Sequence, residues 1–139
     1  MFQSLSEHVK AIKYYERAIS IDMEIGDKAV KATCYGNLGT LFHCLGEYRK
    51  AEEYHEKGLV IEMEIGEREG ELRTYLNLAT VFVELGEYRK SKLYCDKALA
   101  IGMKSGDKEA EANCYQKEGD VFNLSAIKKR KLKPALRKH

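Results

Sequence analysis

The stretch DKAVKATCYGNLGTLFHCLGEYRKAEEYHEKGLVIEMEI, residues 27–65, decides the fold because a second version of it follows forty residues later. From Glu47 to Gly66, 10 of 20 residues are identical to the residues one period further along the chain. All four phenylalanines share one position of this period, and other residues recur in the same way: Phe2, Phe42, Phe82 and Phe122; Met23, Met63 and Met103; Gly26, Gly66 and Gly106; Tyr14, Tyr54 and Tyr94. A period of this regularity indicates a repeat architecture.

The apolar residues within one period predict two helices. In the first half they recur at i, i+3, i+4 and i+7, which is one face of an α-helix, at Tyr35, Leu38, Gly39 and Phe42. The second half has the same three- and four-residue steps at Ala51, Tyr54, Gly58 and Ile61. Gly39 is the small residue at which a neighbouring helix must come close. Gly46 stands between the two runs and suits a left-handed helix end.

Glycine followed by aspartate marks the junction between periods. In Gly26-Asp27 and Gly106-Asp107 the glycine ends one helix, and the aspartate can accept the free N–H groups of the next helix. Each period is therefore a hairpin of a first helix and a second helix, and hairpins must stack because a single one cannot bury both faces. The expected helices lie at 7–25, 28–45, 47–65, 68–85, 87–105 and 108–124, with residues 1–5 as the last turn of an earlier first helix.

This signature resembles the tetratricopeptide repeat (TPR). Two periods carry its residue classes at its spacing: Tyr35, Leu38, Gly39, Phe42, Gly46, Tyr48 and Ala51, then Tyr75, Leu78, Ala79, Phe82, Gly86, Tyr88 and Ser91. The usual repeat has about 34 residues, whereas the period here is forty and a Gly-Asp or Gly-Glu turn replaces the final proline. The longer form is similar to the arrays of Pins-like G-protein-signalling modulators and of other large multi-TPR scaffolds.

The resemblance implies an all-α fold, a right-handed TPR-like α-solenoid of stacked antiparallel helix hairpins with about six helices. We predict a repeat array over 1–124 and a basic C-terminal tail over 125–139. The array divides into a partial repeat (1–25), two full repeats (26–65 and 66–105) and a second partial repeat (106–124). In the tail, Ala126 stands where Gly46 and Gly86 recur, and Pro134 should break any helix.

The array thus starts and ends in the middle of a repeat. Natural arrays usually close with polar capping helices, but the opening helix carries Val9, Ile12 and Ile19 beside its core positions. We expect an uncovered end. That end is either the edge of a fragment from a longer array or a surface for self-association with another chain.

Composition excludes several classes of function. The 139-residue chain has no apolar run near the about 18 residues that span a membrane. The last twelve residues hold seven Lys and Arg; without them, 17 basic and 22 acidic residues leave a charge of −5, which argues against nucleic acid as a partner. The four cysteines have no metal-site spacing, and we expect buried free thiols at Cys34, Cys44, Cys95 and Cys114.

Catalysis has no support in the sequence. No two of the four histidines share a helix at i, i+4 spacing, and no glycine-rich phosphate loop is present. The acidic run Glu62, Glu64, Glu67, Glu69 and Glu71 surrounds more than one helix face, so we interpret it as a solvated junction rather than a cation site. We expect no catalytic residue, no metal and no cofactor, and therefore a protein that is not an enzyme.

By the resemblance, the first helices line a concave groove that binds a peptide segment of a partner protein. The candidate groove residues are Asn37, Thr40, Arg73, Asn77, Thr80, Lys117 and Asp120, with Val83 and Glu84 among the further positions. Asn37 and Asn77 can pair with the backbone of an extended ligand, or they bond a neighbouring helix. Arg73 suits a ligand carboxylate, or it pairs with Glu69 one turn earlier.

One TPR subtype holds chaperone C-termini with a clamp of lysines and asparagines. Asn77 and Lys117 correspond to clamp positions, but Gly36, Thr40 and Asn113 do not. The predicted groove instead carries charges of both signs, which favours a ligand with both charges or a modestly acidic one.

The predicted function is a non-enzymatic protein–protein interaction scaffold in the cytoplasm. Two alternatives stay open: a structural spacer from a longer TPR array, and a nuclear or nucleic-acid-associated factor that acts through the tail. The run Lys128, Lys129, Arg130 and Lys131 has the density of a nuclear-import signal. Basic runs at chain ends are also commonly just solvated.

Overall fold

Six α-helices account for nearly all of the described backbone. The computed structural model describes the backbone of residues 2–137 and the side chains of residues 5–131. The helices are α1 (Phe2–Ile25), α2 (Lys28–Cys44), α3 (Tyr48–Ile65), α4 (Arg68–Glu84), α5 (Tyr88–Ser105) and α6 (Lys108–Arg137). They form an α-solenoid in which α2, α4 and α6 are first helices and α1, α3 and α5 are second helices. The predicted all-α class is confirmed.

Every turn between these helices contains a glycine with positive φ. The φ values lie between 71° and 79°, a region that a side chain with a Cβ rarely adopts, at Gly26, Gly46, Gly66, Gly86 and Gly106. After four of these glycines the next amide reaches back around the helix end; for example, the N–H of Glu47 donates to Phe42 O at 2.9 Å, and that of Glu87 to Phe82 O at 2.8 Å. Such bonds satisfy carbonyls that the helix leaves free. The predicted helix end at Gly46 is confirmed.

Carboxylates begin the first helices. Asp27 Oδ1 accepts the N–H of Ala29 at 3.2 Å, and Asp107 Oδ1 accepts the N–H of Ala110 at 3.1 Å. These bonds satisfy amides that have no partner within the first helical turn. The aspartates of both Gly-Asp junctions therefore have the predicted capping role.

Two helices continue where the sequence pattern predicted a break. α1 runs through Ser6 without a turn, and α6 runs through Ala126 to Arg137, past Pro134. Ser6 and Ala126 occupy the positions that Gly46 and Gly86 hold in the full repeats. Since neither supplies the glycine that positive φ favours, the helix continues. The expectations of a separate helical turn at residues 1–5 and of a helix ending at 124 are wrong.

In each full hairpin, one tyrosine of the second helix packs against two aromatic residues of the first helix. The ring of Tyr54 on α3 stacks on Phe42 of α2 at 5.3 Å between centroids and lies 6.1 Å from Tyr35. One repeat later, Tyr94 on α5 lies 5.0 Å from Phe82 and 5.6 Å from Tyr75. Aromatic pairs at these separations stabilise a contact beyond the area that they bury.

Mixed clusters join each hairpin to the next one. Leu38, Phe42, Ala51 and Val81 form one such cluster across α2, α3 and α4. Ile12 and Ile19 of α1 pack against it, so the expectation that they form part of an uncovered end is wrong. The exposed apolar residues of α1 are instead led by Tyr14, which is 73% exposed, and include Val9.

The cysteine prediction is confirmed at three of four positions. Cys34, Cys95 and Cys114 are buried free thiols, whereas Cys44 is exposed at the end of α2. Burial, helped by the charges of Glu118 and Asp96, raises the pKa of Cys95 to about 11. The buried thiols are therefore poor nucleophiles at neutral pH.

Gly39 permits the closest approach between α2 and α3. A Cβ built on Gly39 would lie 2.7 Å from the imidazole ring of His55, which is itself buried. In the next repeat the corresponding pair is Ala79 and Cys95, which pack in one cluster. A large residue thus faces glycine in one repeat, and a smaller residue faces alanine in the next.

We expect Gly39→Ala to lower the free energy of unfolding by about 1–3 kcal/mol, because the buried imidazole has no room to move away. Adding His55→Cys should restore most of the loss, since the pair then matches Ala79 and Cys95. Urea unfolding of the variants measures this. Gly36→Ala is the matched control: its Cβ meets nothing within 4 Å, and it should be neutral or stabilising by up to about 1 kcal/mol. Equal losses at both glycines would contradict the interpretation.

Acid should destabilise the fold through His55. Burial, and then the neighbouring His43, lowers the pKa of His55 from 6.5 to about 4. Below pH 6.5 the unfolded chain binds a proton that the folded chain refuses until about pH 4. The free energy of unfolding should therefore fall as pH decreases through this window, by up to about 1.4 kcal/mol per pH unit. Urea unfolding at several pH values should show a steeper loss for the parent than for His55→Cys; parallel curves would rule out this role.

Candidate functional site

The first helices lie side by side on one face of the solenoid. α4 is central, because it contacts both α2 and α6 in addition to its hairpin partner α5. Residues forty apart in sequence, such as Asn37 and Asn77, therefore occupy equivalent places on neighbouring helices. This face is the predicted groove.

The largest of three cavities along the described first helices lies between α4, the end of α5 and the start of α6. Its volume is about 600 Å³, and its lining has an apolar part made by Leu72, Leu76 and Ile101. Charged residues of both signs complete the lining: Arg68, Glu69, Arg73, Asp107 and Glu109. An apolar surface with a few charged groups around it is typical of a site that binds and orients a ligand.

A second cavity lies further along the same two helices. It has a volume of about 260 Å³ and brings together three of the predicted groove residues, Thr80, Lys117 and Asp120. Val121 and Leu124 contribute apolar surface to it. Because Lys117 and Asp120 line one cavity, both signs of charge are available within a short distance.

Arg73 stands where the largest cavity meets a third one. The third cavity, of about 120 Å³, lies between α2, the end of α3 and α4. Arg73 Nη2 lies 3.8 Å from Glu69 Oε1, and both side chains are mainly exposed. An exposed pair at this distance contributes at most about 1 kcal/mol. The alternative partner considered for Arg73 is therefore present, but the pairing is weak.

The charge of Arg73 also affects the pKa of Glu62. This pKa is raised by burial, while a hydrogen bond from Thr74 and the charge of Arg73 act in the opposite direction. The Thr74 hydroxyl donates to Glu62 Oε1 at 2.6 Å. Arg73 thus lies among carboxylates that it only partly neutralises.

The remaining candidate residues line the face of α2 and α4. Asn37 and Thr40 are exposed, and Asn77 is half-buried. The hydroxyls of Thr40 and Thr80 donate to carbonyls of their own helices, Gly36 O at 3.1 Å and Leu76 O at 3.2 Å. Since each hydroxyl proton is already used in a hydrogen bond within its own helix, the two threonines can offer a ligand only acceptor lone pairs.

Two further predicted groove positions are not free to bind. Val83 is buried in the cluster with Val121 of α6, and Glu84 lies 3.5 Å from Lys128 Nζ. α6 therefore covers the end of α4. The expectation that Val83 and Glu84 face an open groove is wrong.

The acidic run from Glu62 to Glu71 is less solvated than predicted. Glu71 is buried and accepts hydrogen bonds from Arg68 at 3.1 Å and from the Tyr75 hydroxyl at 3.1 Å. Glu62 is half-buried beside Thr74. The junction between repeats is thus only partly solvated, since two of its carboxylates are packed against α4.

Sequence reasoning missed three charged residues of the largest cavity. Arg68 is the first residue of α4, and Asp107 and Glu109 lie at the start of α6; of the three, only Asp107 had been assigned a role, that of a helix cap. The available signal was the recurrence of basic residues at Lys28, Arg68 and Lys108 and of acidic residues at Asp27, Glu67 and Asp107, whereas Glu109 corresponds to Ala29 in α2. A junction that faces a neighbouring hairpin can serve both as a cap and as a cavity wall.

The basic segment of α6 is attached to the array. Lys128 Nζ donates to Val83 O at 3.3 Å and approaches Glu84 Oε2 at 3.5 Å, and Lys129 Nζ lies 5.9 Å from the centre of the Tyr88 ring. A cation at the carbonyl end of a helix interacts favourably with the helix dipole. Lys128 therefore stabilises the C-terminal end of α4. This contact is possible only because α6 continues past Ala126.

Comparison with known proteins fits this geometry. Two family models, each described as tetratricopeptide repeat, match residues 1–61 and 72–102. The chain belongs to the tetratricopeptide repeat family. The crystal structure of the TPR domain of Arabidopsis FLU is 26% identical over 71% of this chain and 83% of that domain, with a TM-score of 0.64. No curated protein matches the sequence.

A second solved structure, the apo form of RapI, shares the fold. It is 24% identical, and the match covers 93% of this TPR chain and 51% of RapI, with a TM-score of 0.70. This TPR chain thus spans about half the length of RapI. TPR arrays are in general protein-interaction scaffolds and typically non-catalytic modules.

The described residues of this TPR array contain neither a membrane-spanning helix nor a group of metal ligands. Within the described residues, no helix is both long and apolar enough to cross a bilayer. Among the same residues, no three His, Cys, Asp or Glu side chains form a group that could hold a metal ion. The groove cavities contain no histidine or cysteine in their linings.

We expect Lys128→Met to lower the free energy of unfolding of the TPR array by about 1 kcal/mol, because the aliphatic part of the side chain remains while the cation leaves α4. Arg130→Met is the matched control, since Arg130 is exposed on the same helix. Urea unfolding compares them. Equal stability of the two variants would show that the Lys128 contact contributes nothing.

Proposed function

We propose that this TPR array binds an extended peptide segment of a partner protein along the groove between α4 and α6. The observation that carries the proposal is the pair of cavities on this face, which together contain Arg73, Thr80, Lys117 and Asp120. These residues come from two helices and were all candidates by their positions in the repeat. Their arrangement is that of polar groups along an apolar groove, which suits a peptide.

The dimensions of the groove fit a short extended segment. From Leu72 to Thr80 the accessible lining of the two cavities advances eight residues along α4, or about 12 Å at 1.5 Å per residue. An extended peptide covers that distance with about four residues. A ligand of this length would pass over both cavities in one conformation.

The charges favour a ligand that carries both signs. Arg73 and Lys117 can each bind a carboxylate, and Asp120 can bind a basic side chain of the same segment. Arg73 must release Glu69 to do so, which costs little because that pair is exposed and 3.8 Å apart. Complementary charges would also set the direction of the peptide in the groove.

The asparagines can supply contacts that do not depend on ligand sequence. Asn37 and Asn77 are equivalent residues of α2 and α4, and each amide has both donors and an acceptor. Asn77 would bind the backbone of a ligand in the groove between α4 and α6, and Asn37 would bind the backbone of a ligand that extends over α2. The charged residues would then provide the specificity.

Selection from a library of random displayed peptides tests the proposal without knowledge of the natural partner. The parent should enrich peptides that contain both acidic and basic residues. Arg73→Ala combined with Asn77→Ala should weaken the selected peptides by about ten- to a hundredfold, since a hydrogen bond to a charged group contributes about 1.5–3 kcal/mol. Fluorescence anisotropy of a labelled selected peptide measures the affinity.

The matched control is Arg89→Ala, which removes the same charge from an exposed position of α5. It should bind the selected peptides as the parent does, and all variants should keep the parent's helical circular dichroism. The proposal fails if no peptide is enriched, or if the double variant binds the enriched peptides as tightly as the parent.

The alternatives to peptide binding are less favoured by the contacts. Action through the basic segment would not have Lys128 fully available, because it contacts Val83 and Glu84 at the end of α4, whereas Lys129, Arg130 and Lys131 are exposed. A role as a spacer within a longer array would not require charged residues around the two cavities. Location in the cytoplasm, or in the nucleus through the basic run, stays a prediction.

A further inference from the structure

Two aromatic faces are uncovered within the described residues. On α6, Tyr115 is 53% and Phe122 is 56% exposed, and on α1, Tyr14 is 73% exposed. These are not scattered surface residues. Tyr115 and Phe122 occupy the positions of Tyr35 and Phe42, and Tyr14 occupies the position of Tyr54.

The full hairpins show what these positions do when they are paired. In the first full repeat, Tyr54 contacts Tyr35 and Phe42; in the second, the equivalent tyrosine makes the same two contacts one period later. Among the described residues, α6 is thus a first helix with no second helix against its aromatic face, and α1 is a second helix with no first helix of its own repeat.

Lysines complete the aromatic contact in both full hairpins. Lys50 Nζ lies 5.2 Å from the centre of the Phe42 ring, and Lys57 Nζ lies 5.8 Å from Tyr35 and 5.1 Å from Tyr54. The second hairpin repeats the arrangement with Lys90 and Lys97, at 5.4, 5.7 and 5.0 Å from its rings. Each contact therefore consists of two aromatic residues from the first helix and a Lys-Tyr-Lys set from the second.

The two uncovered faces together contain this whole set. α1 carries Lys10, Tyr14 and Arg17 at the positions of Lys50, Tyr54 and Lys57 in the first full repeat; α6 carries the two aromatic residues. Arginine keeps the cation that this position requires. Each uncovered face is one half of a contact that the chain already makes twice.

The close-approach position agrees with such a pairing. Gly39 faces His55 in one hairpin, and Ala79 is clustered with Cys95 in the other. The corresponding residue of α6 is Gly119, whose added Cβ would meet nothing within 4 Å. The corresponding residue of α1 is Tyr15, the largest of the three. Tyr15 is half-buried against the cluster of Leu38 and Phe42 in its own chain, and glycine at position 119 leaves space for the rest of its side chain.

We propose that the chain self-associates head to tail: the aromatic face of α6 in one copy packs antiparallel against α1 of a second copy. The contact reproduces the hairpin of α2 and α3 between molecules. A second copy is the occupant that fits, because α1 and α6 of this same chain carry the two complementary halves of the contact. Ser6 and Ala126 support the pairing, since both helices run straight where a hairpin would turn.

Head-to-tail contacts use different surfaces on the two molecules. They therefore extend into longer oligomers or close into a ring, whereas a two-fold contact of like surfaces stops at a dimer. The pairing face of α6 is distinct from the groove residues Arg73 and Asn77 of α4. The association is thus independent of peptide binding, and Arg73→Ala with Asn77→Ala should leave it unchanged.

Two blocking variants test the proposal. Tyr14→Asp blocks the face of α1, and Phe122→Asp blocks the face of α6; both side chains are mainly exposed, so the helices should fold normally by circular dichroism. In sedimentation velocity, the parent should form species larger than a monomer as concentration rises, and each variant alone should stay monomeric. Met103→Asp, at a residue 55% exposed on α5, is the control and should behave as the parent.

Mixing the two variants decides the geometry. Each retains the face that the other lacks, so an equimolar mixture should form a heterodimer and stop there. A parent that stays monomeric at every concentration overturns the proposal, and a longer array would then be the natural cover for both faces. Dimers of Tyr14→Asp alone would show that α6 pairs with itself, and dimers of Phe122→Asp alone that α1 does; either result also overturns it.

Discussion

Positive φ at glycine is the constraint on which the solenoid depends. Five glycines turn the chain between the six helices, and after four of them the next amide reaches back to a free carbonyl of the helix that has just ended. Where the repeat position holds Ser6 or Ala126, the helix continues instead. The chain forms a hairpin wherever it can adopt this conformation. The alternation of first and second helices follows from those positions. The straight ends of the array follow from where it cannot.

Within this frame, equivalent positions keep their geometry while their chemistry changes. Asp22 is buried and accepts the N–H of Lys31 at 3.1 Å, so a second helix caps the first helix of the next repeat. Glu62, forty residues later, accepts instead from Thr74. Gly102 is the equivalent residue another forty residues later, and a Cβ added to it would lie 3.4 Å from the backbone N of Glu111. Glycine therefore lets the two helices touch directly. Stacking therefore tolerates several kinds of contact at one junction.

The groove arises from stacking rather than from any one repeat. Arg73 and Lys117 are far apart in sequence, and they share a face because α4 and α6 are adjacent first helices. Their position in the repeat was sufficient to select them as candidates. The contact between Lys128 and the end of α4 could not be selected in this way, because it needs α6 to continue beyond the repeat pattern. Lys128 pairs with Glu84, and Val121 of α6 packs against Val83; repeat position alone places both residues in the open groove.

The sequence by itself determined the features that depend on local periodicity: the class of fold, both boundaries of four helices to within a residue or two, the glycine turns, and the face on which Asn37, Asn77 and Arg73 lie. These follow from φ preferences and from apolar spacing along a helix, which act over a few residues. Only the tertiary structure decided the two cavities, the burial of Glu71, and the weak pairing of Arg73 with Glu69. Those features depend on how closely neighbouring hairpins approach, a distance set by side chains forty residues apart acting together.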